Sequence, residues 1–149
     1  MLSGAGKLTV MAAVAQHPWY FETDCAKDAL AGRPLLERYL GDHCEKADLY
    51  TASLVYGELI SNVIKHAPCG GVRVWLEPEG DKFALCINDA GTGFDEQVIA
   101  NEPDERSESG RGLYIVRQVC ERISYRRADR HGFTIRAVLP IKRRSDAQS

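Results

Sequence analysis

An excess of charge of either sign is missing from this 149-residue chain: 19 basic against 21 acidic residues leave a formal net charge of −2. Nucleic-acid binders usually carry a strongly basic face, and this balance gives no reason to expect one. Long apolar runs are missing too, since none approaches the roughly 20 residues that span a bilayer. The short stretch Val10 to Ala15, with Trp19 and Tyr20 close behind, makes a poor signal peptide and reads as an irregular lead-in or an edge strand. Metal-ligand spacings are absent. The five cysteines, Cys25, Cys44, Cys69, Cys86 and Cys120, form no CxxC and are odd in number, which suits small apolar residues in a reduced, cytoplasmic protein. The histidines (17, 43, 66 and 131) are scattered, so a zinc site is not expected. No internal repeat or low-complexity linker interrupts the chain. What remains is ordinary globular composition, 44% apolar and 27% charged, and enough length for one domain with a hydrophobic core. The core is expected over about 17–140, with both termini fraying.

Along the chain, His17 to Thr23 alternates like a strand. From Lys27 to Glu45, Ala29, Leu30, Leu35, Leu36, Tyr39 and Leu40 recur at helical spacing, with Gly32-Arg33-Pro34 as a possible break. Asp48 offers an N-cap to a long helix ending near His66, with Leu54, Val55, Leu59, Ile60, Val63 and Ile64 as its apolar stripe. Turn chemistry at Pro68 to Gly71 stops it. Strands Val72–Glu77 and Phe83–Asp89 follow, joined by a turn at Pro78 to Asp81. Ala90 to Ser109 reads as an acidic, glycine-interrupted loop with a short helix near Asp95 to Ala100. An amphipathic helix, Leu113 to Arg122, and two strands, Ser124–Ala128 and Phe133–Leu139, complete the pattern. Such a mixture implies an α+β, two-layer α/β sandwich: a mixed, mostly antiparallel sheet covered on one face by helices.

Four segments carry candidate chemistry. On ELISNVIKHA, Glu58, Asn62 and Lys65 fall at i, i+4 and i+7, on one side of an otherwise apolar helix. A carboxylate, an amide and an amine in that order suit a base, a magnesium ligand and a phosphate contact, because Mg²⁺ takes oxygen ligands and keeps several waters. In NDAGTGFD, an apolar strand runs into Asp89, Gly91 and Gly93. Glycines there permit close backbone approach to a ligand, and a carboxylate can accept from the amine of adenine. In ESGRGLYIV, Gly110 and Gly112 open a helix whose N-terminal amides suit phosphate. In HGFTIRAVLP, Gly132 and Thr134 begin the last strand. Taken singly, each has a plainer reading as a solvated helix face, a surface turn, a loop or a hairpin. The glycines of Gly4-Ala5-Gly6-Lys7-Leu8-Thr9 lack P-loop spacing and a preceding strand, and are set aside.

The four segments in this order resemble the nucleotide site of the GHKL superfamily, the histidine-kinase-like ATPases with a Bergerat-type fold, over roughly His17 to Pro140. Glu58 to Ala67 resembles the N box, Asp89 to Phe94 the first glycine box, and Gly110 to Leu113 the second. The resemblance implies ATP and Mg²⁺ as cofactors. Asn62 would hold the metal and Lys65 approach the phosphates. Asp89 would read adenine with Thr134 joining its hydrogen bonds, and Gly91 and Gly93 would shape the pocket. Amides near Gly110, Gly112 and Leu113 would cradle the phosphates beneath a lid from Asp95 to Ser109. Arg106 or Arg111 is available to the terminal phosphate, although surface arginine describes each more plainly.

Within that superfamily the chain looks most like the anti-sigma-factor serine kinases. Transfer to a serine hydroxyl benefits from a positioned base, which a neutral imidazole acceptor does not need. Sensor histidine kinases usually have Asn where this chain has Glu58. No histidine-bearing dimerisation helix is evident, and the length falls short of a gyrase-type protein. The resemblance therefore implies a cytoplasmic protein serine/threonine kinase with Glu58 as catalytic base. It would phosphorylate a STAS-type anti-sigma-factor antagonist and sequester a sigma factor, often as a homodimer, without touching nucleic acid or membrane. Two alternatives stay open: a non-catalytic nucleotide-binding regulator, and a histidine-kinase catalytic domain acting in trans.

Overall fold

The computed structural model describes residues 16–45, 48–67, 69–89, 108–128 and 132–144, as backbone alone at 108–111 and 127–128. Strand β1 (Tyr20–Thr23) leads through a 3-10 turn (Ala26–Ala31) into helix α1 (Gly32–His43). Helix α2 (Leu49–His66), the hairpin β2 (Val72–Glu79) and β3 (Lys82–Asp89), helix α3 (Glu108–Val119) and strands β4 (Arg122–Ala128) and β5 (Gly132–Lys142) follow. The sheet runs β1-β2-β3-β5-β4. Every pairing among these strands is antiparallel, where a mixed but mostly antiparallel sheet was expected. The α+β class and the helix-covered sheet are as expected. The short helix expected near Asp95 to Ala100 lies outside the described residues.

Alternation along the strands sorts the two faces. Val72, Val74 and Leu76 of β2, Leu85 and Ile87 of β3, and Phe133, Ile135, Ala137 and Leu139 of β5 are buried beneath the helices. Leu36 and Leu40 of α1 and Val55, Leu59, Ile60 and Val63 of α2 meet them, with Leu113 and Val116 of α3, in one core cluster. Asp48 caps α2, its carboxylate accepting from the Thr51 amide at 3.1 Å, so an otherwise orphaned helix amide is satisfied.

The break at Gly32 is real but gentle. The 3-10 turn hands its last carbonyls, Ala29 and Leu30, to the Gly32 amide, and an α-helix continues from there. Pro34 falls in the first helical turn, where its missing N–H costs nothing. Gly32 is required for packing, because a Cβ there would occupy the space of the Tyr56 hydroxyl. That hydroxyl is buried and donates to the Ala29 carbonyl at 2.6 Å, and burial raises its pKa above the ordinary tyrosine value.

Among the described residues, the other sheet face carries charged side chains. Arg136 on β5 reaches over β3 to Glu77 (2.9 Å) and Glu79 (2.8 Å) of β2. The indole of Trp75 donates to Glu77 at 3.0 Å, and Arg122 of β4 pairs with Glu79. Only small residues, Ala84 and Cys86, lie on β3 beneath this roof, and both are buried. Burial, with the charge of Glu77, pushes the Cys86 thiol up to about 12.

Tyr56→Phe removes one of the two donors to the Ala29 carbonyl, which keeps the Gly32 amide. Urea unfolding of the variant is expected to show a loss of about 1 kcal/mol.

Candidate nucleotide site

Helix α2 packs on the sheet through its apolar stripe, which leaves Glu58 and Asn62 on the flank that meets α3. Asn62 is 3% exposed, and Asp89 at the end of β3 is 4% exposed; they are the buried polar residues among those described. Burying an amide and a carboxylate in a core of this kind is costly unless something satisfies them. The Asn62 side-chain nitrogen donates to the Glu58 backbone carbonyl at 2.9 Å. That bond fixes which amide atom is engaged within the helix, and the oxygen is left as the group a hard cation would take.

Gly112 joins the second glycine segment to this flank. A Cβ built on it would lie 3.2 Å from the Glu58 carboxyl carbon and 3.8 Å from the Asn62 side-chain nitrogen, and still closer to Glu58 Oε2. The Glu58 carboxylate thus fills the space above a residue that has no side chain. A carboxylate and an amide side by side, with a bare backbone facing them, form a donor set that fits a magnesium-bound polyphosphate.

Helix α3 begins at Glu108, earlier than expected, so Gly110 and Gly112 sit inside its first turns. The first four amides of a helix are unpaired within it. Gly110 is among them, while Gly112 and Leu113 lie beyond and are committed to the helix. The Gly112 and Leu113 amides, expected from sequence to meet the phosphates, thus lie beyond the unpaired ones, and the Leu113 side chain is in the core, 1% exposed.

Thr134 also departs from expectation. Asp89 pairs in register with Val72 and Phe133, on the helix-covered face. Thr134 pairs with Asn88, and the Asn88 side-chain nitrogen donates to its hydroxyl at 2.8 Å. The pleat puts Thr134 on the opposite face from Asp89, so it cannot share hydrogen bonds with a base held there. Phe133 takes the place on Asp89's face, with Tyr125 stacked on it at a ring separation of 6.0 Å. Sequence reasoning missed Phe133 because a one-residue shift of register exchanges the faces, and no local signal fixes register between strands so far apart in the chain. Lys65 stands exposed in the last turn of α2. Gly91, Gly93 and Arg106 lie outside the described residues, as does the Arg111 side chain.

A family model described as the histidine kinase-like ATPase domain matches residues 30–139. The chain belongs to that family. The fold is similar to the catalytic domain of histidine kinase ThkA in two nucleotide-free crystal forms. Their TM-scores are 0.53 and 0.55 at 17% and 16% identity, covering 82% of this chain and 95% and 96% of that domain. The histidine kinase domain of a blue-light-activated kinase from Erythrobacter litoralis matches at a TM-score of 0.47 and 18% identity, covering 62% of this chain and 44% of that one. That last likeness is too distant to carry an argument. Curated proteins give no match. Membership makes this a GHKL-type, kinase-like ATPase domain.

Two substitutions separate the roles. Gly112→Ala places a methyl group where the Glu58 carboxylate lies and is expected to weaken ATP binding or turnover at least tenfold, while circular dichroism stays unchanged because alanine favours the helix. Thr134→Val is expected to leave ATP affinity within about twofold of wild type by calorimetry, since the hydroxyl faces away from Asp89; each tenfold corresponds to about 1.4 kcal/mol.

Proposed function

We propose that the chain is an ATP-dependent protein serine kinase, and that it acts as an anti-sigma factor in the cytoplasm. The observation that carries this reading is the Glu58 carboxylate set against Gly112, one helical turn from Asn62. A serine hydroxyl is a weak nucleophile at neutral pH and gains from a base held within hydrogen-bond reach. Glu58 supplies that base, accepting the hydroxyl proton as the oxygen attacks the terminal phosphoryl group of ATP. Asn62 offers its amide oxygen to the metal and Asp89 a buried carboxylate to the adenine amine. The amides opening α3 favour the negative charge of the phosphate chain. Bound Mg²⁺ supplies neutralisation of charge on the transferring group.

The substrate in this reading is a STAS-type anti-sigma-factor antagonist, phosphorylated on serine. Its phosphorylation state sets whether the chain, as a possible homodimer, holds a sigma factor. Support comes from the resemblance noted in the sequence and from the base at Glu58, which a nucleotide-binding regulator without catalysis would not need. Among the described residues no helix is long and apolar enough to cross a membrane.

The test is transfer of label from γ-labelled ATP, with Mg²⁺, to a STAS-domain antagonist. Wild type is expected to yield acid-stable phosphoserine. Glu58→Gln is expected to lower the rate by about 10²–10⁴-fold with ATP affinity retained. Acid-labile label would point instead to histidine as the acceptor, and tight ATP binding with no transfer would point to a regulator.

A further inference from the structure

The two edges of the sheet are built differently. β1 at one edge is four residues long, and β4 at the other is seven. An edge strand turns a row of backbone N–H and C=O groups outward, and proteins commonly blunt it by keeping it short. β1 is blunted in that way and β4 is not.

Register sorts the side chains of β4. Arg122, Ser124 and Arg126 pair with Val138, Arg136 and Thr134 and so point to the charged face of the sheet. Ile123 and Tyr125 pair with Ala137 and Ile135, on the face beneath the helices. Arg122, Ser124, Tyr125 and Arg126 are exposed, and Ile123 is half-buried. The strand carries no acidic residue.

The arginines on this face are not equally engaged. Arg122 is paired with Glu79, and Arg136 with Glu77 and Glu79. Arg126 has no ion-pair partner among the described residues. A hollow of about 350 Å³ lies beside it, lined by Ser124 and Arg126 of β4, Thr134 and Arg136 of β5, and Trp75 and Glu77 of β2. Two guanidinium groups against one carboxylate leave its wall with an excess of positive charge.

The side chains of an added strand alternate in step with those of β4. Carboxylates on one side would meet Arg122 and Arg126 and reach past the small Ser124 into the hollow. Apolar side chains on the other would cover Ile123 and the Tyr125 ring, which is 37% exposed. A second copy of β4 has the wrong charge, because antiparallel pairing of two such strands sets arginine against arginine. The arginines therefore disfavour self-pairing while admitting an acidic strand.

We propose that β4 is a docking edge for an extended acidic segment of a partner protein. The segment joins the sheet through main-chain hydrogen bonds, with its carboxylates on the charged face. The edge serves this purpose whether or not the chain is a kinase.

The experiment titrates the full isotope-labelled chain with a short capped peptide of alternating glutamate and valine, followed by amide NMR and calorimetry. Saturable binding is expected, with shifts and slowed hydrogen exchange centred on Arg122–Ala128. Arg126→Glu, with an unchanged circular dichroism spectrum, should weaken the glutamate peptide roughly tenfold. The same variant should gain affinity for a lysine–valine peptide of equal length. Methylating the nitrogens of the glutamate peptide should abolish binding, because the main-chain bonds are lost while the charge is kept. No saturable binding at millimolar peptide, or undiminished binding by the methylated peptide or by Arg126→Glu, would overturn the proposal. So would shifts centred away from β4, or β4 amides protected by self-association of the free chain.

Discussion

The contact of Gly112 with the Glu58–Asn62 flank of α2 is the constraint on which the site depends. Two helices far apart in the chain approach so closely that a Cβ on Gly112 would displace the Glu58 carboxylate. The approach gives a carboxylate a half-buried seat and lets an amide sit 3% exposed without losing its hydrogen bond to the Glu58 carbonyl. Packed interiors yield little to an added methyl group, so the arrangement is specific. Because α3 follows directly on the loop expected to form the lid, its position also sets where that loop returns to the body of the fold.

Similar close approaches recur where α1 meets α2. The Tyr56 hydroxyl fills the space over Gly32, and the Arg33 guanidinium fills that over Gly57, the residue before Glu58. Side chains thus alternate with bare backbone across the helix layer. The layer is held at a short distance from itself. On the far side of the sheet the same economy takes another form. Small residues on β3 let Arg136 span to Glu77 and Glu79, and paired charges shield that face. Ion pairs so exposed to solvent stabilise modestly at most. Their evident effect is to keep the apolar floor of β3 covered.

Much of the fold was legible because its signals are local. The Asp48 cap, the apolar stripe of α2 and the β2–β3 hairpin follow from neighbouring residues and the periods of 3.6 and 2. Glu58 and Asn62 could be picked out as polar residues on an apolar helix. The start of α3 was misplaced, since glycines that usually mark loops are here tolerated within a helix for the sake of contact. Thr134 was assigned to the adenine site by resemblance to the superfamily, without knowledge of how β5 registers against β3.

The residues by themselves determined the class of fold, the family and the helix that presents an acid and an amide, because periodicity and caps are properties of short segments. Tertiary structure alone decided that Phe133, and not Thr134, shares a face with Asp89, and that Gly112 serves by leaving space. Register and interhelix distance arise from packing between distant segments. A shift of one residue, or one methyl group, changes the site while leaving every local signal the same.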